Sequence, residues 1–131
     1  MKKLTNKKGF TLMEMLIVVA IIVILVAVAV PSFKSSINKA NEATDGANLK
    51  TAKSEAMLKA IDVENRGKTY YYNLSVGELT ESTDFPSDVK PYAGRCQKHV
   101  AAAIKVVIAA DGTVTVNWTT TGTDDVACGA N

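Results

Sequence analysis

The sequence predicts an α+β fold, with one long N-terminal helix packed against a small antiparallel β-sheet. Three observations carry that expectation. Phe10 to Val30 is an apolar run of 21 residues in which Glu14 is the only charge. After Pro31, apolar and small residues recur at three- and four-residue steps, as on a helix with one apolar face. Between residues 100 and 119, an apolar run broken only by Lys105 and an alternating stretch from Thr113 to Thr119 flank Asp111-Gly112, the pattern of a β-hairpin.

The first element is the apolar run. As a helix of 21 residues it would be about 32 Å long, enough to cross a bilayer. A charge near the middle of a membrane costs at least ~2.5 kcal/mol, so Glu14 needs a partner. The chain offers no other charge inside the run. The partner must come from another molecule or from a newly made N-terminus. The segment before the run holds Lys2, Lys3, Lys7 and Lys8 and no acid. By the positive-inside rule these lysines hold the N-terminus in the cytoplasm and place the C-terminal part outside. A secretory signal would have a shorter apolar core followed by a small-x-small cleavage site; here the core is longer, and Glu14 interrupts it.

The second element continues the helix beyond Pro31, where the missing N–H and the ring predict a kink or short break. Phe33, Ile37, Ala40, Thr44, Ala47, Thr51, Ser54, Leu58 and Ile61 mark its expected inner face. The helix is expected to end near Asn65-Arg66-Gly67, with Gly67 as its C-cap.

The residues Lys8-Gly9-Phe10-Thr11-Leu12-Met13-Glu14 give the N-terminus a specific resemblance. The chain is similar to type IV pilin precursors. In that family a short basic leader ends in Gly, and the next residue is usually Phe. A prepilin peptidase cuts between them and methylates the new amine. Gly9 and Phe10 match that site, Glu14 matches the family's glutamate, and Pro31 matches the proline that ends the membrane stretch. The resemblance covers roughly residues 1 to 45. It implies a leader at 1–9, a transmembrane and filament-core helix at 10–31, and a head at 32–131. Within the head it leaves an amphipathic helix (32–66), a connection (67–99), a hairpin (100–119) and a C-terminal loop (120–131). It also implies the pilin fold, with the hairpin covering the amphipathic half of the helix.

The head is read from its own residues. In the connection, Tyr70, Tyr71 and Tyr72 stand in a row. On an extended backbone at least one must face away from the helix, and two are expected to pack on it. Gly77-Glu78-Leu79 is expected to start a short helical turn reaching about Glu81, and Pro86 and Pro91 make the rest irregular. The hairpin has a checkable register. A two-residue loop would set Trp118 opposite Lys105. A three-residue loop with Gly112 in the left-handed region sets Val114, Val116 and Trp118 opposite Ile108, Val106 and Ile104. The second register gives one apolar face and is the one expected.

Cys96 and Cys128 are the only cysteines, and both fall in the part expected outside. An oxidising compartment implies one disulfide between them, as many pilins have in their C-terminal part; a reducing envelope would leave two thiols. Cys96 with His99 raises a nucleophile–base pair, but the spacing comes without an orienting group or oxyanion motif. Asn73-Leu74-Ser75 and Asn117-Trp118-Thr119 match the glycosylation sequon, a weak pattern in a bacterial-looking chain. Asp111, Asp124 and Asp125 could face a cation, but a solvated loop is expected. No phosphate loop, metal-ligand cluster or catalytic carboxylate pair stands out, so no cofactor, metal or enzymatic activity is expected.

The net charge of +2 rests on 15 basic and 13 acidic side chains. Without the four leader lysines the balance is 11 against 13, or −2. The head has no basic tract, which argues against nucleic acid as its partner. The resemblance implies a subunit that waits in the membrane and then polymerises with its own kind into a surface filament. It further implies a prepilin peptidase, an assembly platform and an ATPase as partners, and adhesion, motility or DNA uptake as uses. The alternatives are a pseudopilin of a type II secretion or competence system and, from another class, a membrane-anchored enzyme or binding module with a concave polar site.

Overall fold

The structure, a computed structural model, describes residues 9–128 of the 131. Most of the leader, with its four lysines, and the last three residues of the C-terminal loop lie outside the described residues. The chain forms one long helix, α1 (Leu12–Lys59), followed by four strands: β1 (Lys68–Asn73), β2 (Glu78–Glu81), β3 (Ala103–Ile108) and β4 (Val114–Thr119). The strands form one antiparallel sheet in the order β2-β1-β3-β4. The chain divides into two units, one up to Ile37 and one from Asn38 onward.

In the first unit, α1 is the one helix among the described residues long and apolar enough to cross a membrane, and none of its apolar window is buried within the chain. Its start is fixed locally. The Thr11 hydroxyl accepts from the Glu14 N–H at 3.2 Å, and Glu14 Oε2 accepts from the Thr11 N–H at 2.7 Å. This reciprocal pair is a capping box. The helix runs unbroken through Pro31; of the expected kink or short break, the break is absent. Proline is tolerated inside helices of the membrane-spanning type.

In the second unit the sheet packs on the C-terminal part of α1. The buried helix residues are Asp45, Ala52 and Ala56, with Ala60 just beyond the end. This corrects the expected inner face. Thr44, Ala47, Thr51, Ser54, Leu58 and Ile61 are exposed, the last two by about 70%. The reason is volume. The sheet contributes Tyr70, Tyr72, Leu79, Ile104, Val106, Ile108 and Trp118 to the core, and a helix carrying only methyl groups at 52, 56 and 60 lets those large side chains approach. A rule that looks for large apolar residues selects the other stripe.

The helix also ends earlier than expected, at Lys59. The side chains of Asn65 and Arg66 donate to the carbonyls of Lys59 and Ala60, both at 3.1 Å, which satisfies acceptors that helix ends leave open. Gly67, at φ +77, is then not the cap but the entry to β1, and its N–H bonds to Ile108 O at 2.7 Å.

A further correction concerns β2. Residues 78–81 form a strand and not a helical turn. The Asn73 carboxamide accepts from the N–H groups of Ser75 and Val76, and Gly77 turns at φ +75, so the chain reverses and pairs Tyr72 with Leu79. All three tyrosines are buried. Tyr70 and Tyr72 join the core. Tyr71, on the other face, is covered by the loop after β2, where the Phe85 ring meets it edge-on at 6.1 Å. Burial pushes all three phenols above the ordinary tyrosine range.

The β3–β4 register pairs Ile104, Val106 and Ile108 with Trp118, Val116 and Val114, as the three-residue loop requires. Gly112 turns at φ +89.

Candidate functional site

Two groups of residues carry the chemistry. At the N-terminus, Gly9 and Phe10 lie just before α1, both exposed, and Phe10 is 81% accessible. Glu14 sits in the first turn, engaged with Thr11. The apolar side chains that follow, from Leu12 to Val30, are mostly half-exposed or more. The sequence pointed to Gly9, Phe10 and Glu14 individually. The bond between Glu14 and Thr11 was missed, although Thr-x-x-Glu before an apolar run is its signature.

The second group is buried in the head, and sequence reasoning missed its centre. Asp45, from α1, is fully buried. Its Oδ1 accepts from the Arg95 N–H at 2.7 Å, and its Oδ2 from the Cys96 N–H at 2.8 Å. His99 Nδ1 lies 2.7 Å from the same Oδ2, and His99 Nε2 lies 2.8 Å from Val126 O. Both ring nitrogens therefore meet oxygen partners, and the carboxyl group and the imidazole are buried together, with every buried side-chain polar atom among the described residues hydrogen-bonded. The His99 ring stacks on Trp118, centroids 4.1 Å apart and 13° from parallel.

Cys96 and Cys128 are joined in a disulfide beside this pair, and Cys128 Sγ lies 3.5 Å from His99 Nδ1. The bridge closes a loop with a sequence separation of 32 and contributes on the order of 3–4 kcal/mol by the loop-entropy account. With both sulfurs bonded to each other, the nucleophile that the Cys96–His99 spacing raised is absent from this form. Asp45, Cys96, His99 and Cys128 come together, four side chains of ligand type that no local spacing marked. The acids considered at sequence level have local uses instead. Asp111 accepts from the Thr113 N–H at 2.8 Å, which holds its carboxyl below the usual range. Asp124 is held low by the Thr119 hydroxyl first and by Lys105 second.

Gly94 closes the pocket around the pair. A Cβ there would lie 2.6 Å from Asp45 Oδ2, 2.6 Å from His99 Cβ and 2.7 Å from the Trp118 ring. Gly94→Ala is therefore expected to lower the head's stability by about 1–3 kcal/mol, the usual cost of overpacking. A lower urea midpoint at unchanged slope is the expected reading; an unchanged midpoint would mean the loop simply moves aside.

With this geometry in view, the likenesses to known proteins are specific. Residues 4–30 match the family model of the prokaryotic N-terminal methylation motif. The chain is 33% identical over 104 residues to a type IV major fimbrial protein of Dichelobacter nodosus, covering 74% of this chain and 65% of the relative. These likenesses support a type IV pilin or prepilin. The chain is also 31% identical over 105 residues to a type IV major pilin protein of Neisseria gonorrhoeae, covering 80% of this chain and 44% of the relative. A third likeness, 44% over 57 residues, is to a wide pilus major component of Thermus thermophilus, covering 44% of each. The chain thus spans between about two fifths and two thirds of the length of these pilin relatives. No solved structure matches the chain.

Proposed function

We propose that this chain is the structural subunit of a type IV pilus. The observation that carries the proposal is a methylation motif that runs into the apolar part of α1, whose most apolar window is not buried within its own chain. A precursor of this kind is held in the cytoplasmic membrane by α1. A prepilin peptidase cuts between Gly9 and Phe10 and methylates the new amine. The subunits then assemble with an ATPase and a membrane platform, trading lipid around α1 for the helices of neighbours, and the heads coat the outside of the filament. Exposed Leu58 and Ile61 suit contact between subunits, since large apolar side chains at a surface mark interaction sites when they cluster.

Within the filament, the positive amine of Phe10 meets Glu14 of a neighbour. Misplacing one subunit strands a charge in an apolar core, so the pair acts as a register device. In the single chain Glu14 bonds the Thr11 N–H; a carboxylate has acceptor capacity for both.

Processing tests the proposal directly. N-terminal sequencing of assembled material should begin at methylated Phe10. Gly9→Val should leave an uncut precursor in the membrane and no filament, because a bulky side chain does not fit beside the cut bond. Mature material that begins after Pro31 would overturn the reading.

A further inference from the structure

Asp45, Cys96, His99 and Cys128 each offer one ligating atom, and these four atoms lie within 4.8 Å of one another. We propose that the head, while its cysteines are still thiols, binds one thiophilic divalent cation of the zinc class through these four residues. Zinc bonds of about 2.0–2.3 Å in a tetrahedron set neighbouring ligand atoms about 3–4 Å apart, and Cys128 Sγ stands 3.5 Å from His99 Nδ1.

The surroundings are those of a ligand set. A metal-bound imidazole typically donates its second N–H to a carbonyl or carboxylate, which fixes the tautomer. His99 Nε2 is 2.8 Å from Val126 O, which turns Nδ1 toward the cluster. The Asp45 carboxylate is held by two backbone N–H groups. In the disulfide form a proton lies between Asp45 Oδ2 and His99 Nδ1, where the cation's bonds would run. Binding releases that proton and one from each thiol, so three protons leave for one dication and no electron moves. Joined sulfurs are not thiolates and cannot ligate in this way, so cation and disulfide are alternative occupants of one site.

The bland account of the same residues is a hydrogen-bonded Asp–His pair beside a disulfide, with two cysteines that bind metal no better than any free dithiol. The two accounts separate experimentally. The full chain, in detergent and reduced with a phosphine, is titrated with Co(II). The expected result is saturation at one Co(II) per chain, with the visible bands of tetrahedral cobalt and a thiolate charge-transfer band, displaced by Zn(II). The oxidised chain should show none of this. His99 is the chain's only histidine, so its ring ¹⁵N signals report coordination without any variant; Zn(II) should shift Nδ1 while Nε2 remains protonated. His99→Gln should weaken binding at least tenfold. The proposal is overturned if the reduced, folded chain gives no tetrahedral cobalt spectrum, if Nδ1 does not respond to Zn(II), or if urea-unfolded chain binds as tightly.

Discussion

Glu14→Val is expected to remove most surface filaments while cleaved subunit continues to accumulate in the membrane. On the proposed pairing, the substitution takes away one partner of a charge pair in a low-dielectric core. The remaining amine then costs several kcal/mol per subunit unless it gives up its proton. Insertion does not need the carboxylate, and an apolar residue favours it. The structure adds a second role for Glu14, since it also caps α1 through Thr11, worth about 1 kcal/mol. Glu14→Gln separates the two. Glutamine serves equally well in a capping box but carries no charge, so it should keep the helix start and still lose filaments. The measurement is a count of filaments beside an immunoblot for cleaved subunit. Normal filament numbers in the Val strain would sink the pairing mechanism. Loss in Val with full rescue in Gln would move the effect from charge to capping.

Asp45→Ala is expected to cost the head about 3–5 kcal/mol, since each buried polar group left without its hydrogen-bond partner costs about 1–3 kcal/mol. Two backbone N–H groups and the His99 ring lose their acceptor at once, in a region where burial keeps water away. Total stability of a domain is ~5–15 kcal/mol, so the variant should be partly unfolded under mild conditions. The chain's single tryptophan, Trp118, stacks on His99, so its fluorescence in a urea titration of the full chain reports the region affected. Asp45→Asn keeps an acceptor oxygen and should fall between. A loss below about 1 kcal/mol, the net worth of one ordinary hydrogen bond, would show that the cluster is not the anchor of the 94–99 segment.

The elements legible in the sequence were those whose signal is local. The apolar run, the hairpin register and Gly112 at a left-handed turn follow from composition and alternation over a few residues. The inner face of α1 between residues 44 and 61 was misread, because which stripe is buried depends on the size of the side chains facing it. One of the three tyrosines was expected to face away from the helix, and that one is Tyr71. Its cover is Phe85, in a loop that carries no periodic signal. Residues 78–81 read as a turn of helix because only their pairing with β1 makes them a strand.

The buried cluster illustrates the same limit. Cys96 and His99 lie three residues apart and were noticed. Asp45 stands 54 positions from His99, on a helix where an acid is ordinarily solvated, so no local pattern marked it.

By itself the sequence determined that this chain carries a pilin-type N-terminus, with a Gly-Phe junction and a lone acid inside an apolar run, because these features are read in linear order. Only the tertiary structure decided that an alanine stripe receives the sheet and that Asp45, His99 and the two cysteines share one buried site. Both depend on which distant surfaces meet, and on buried polar groups that persist only where every donor and acceptor finds a partner.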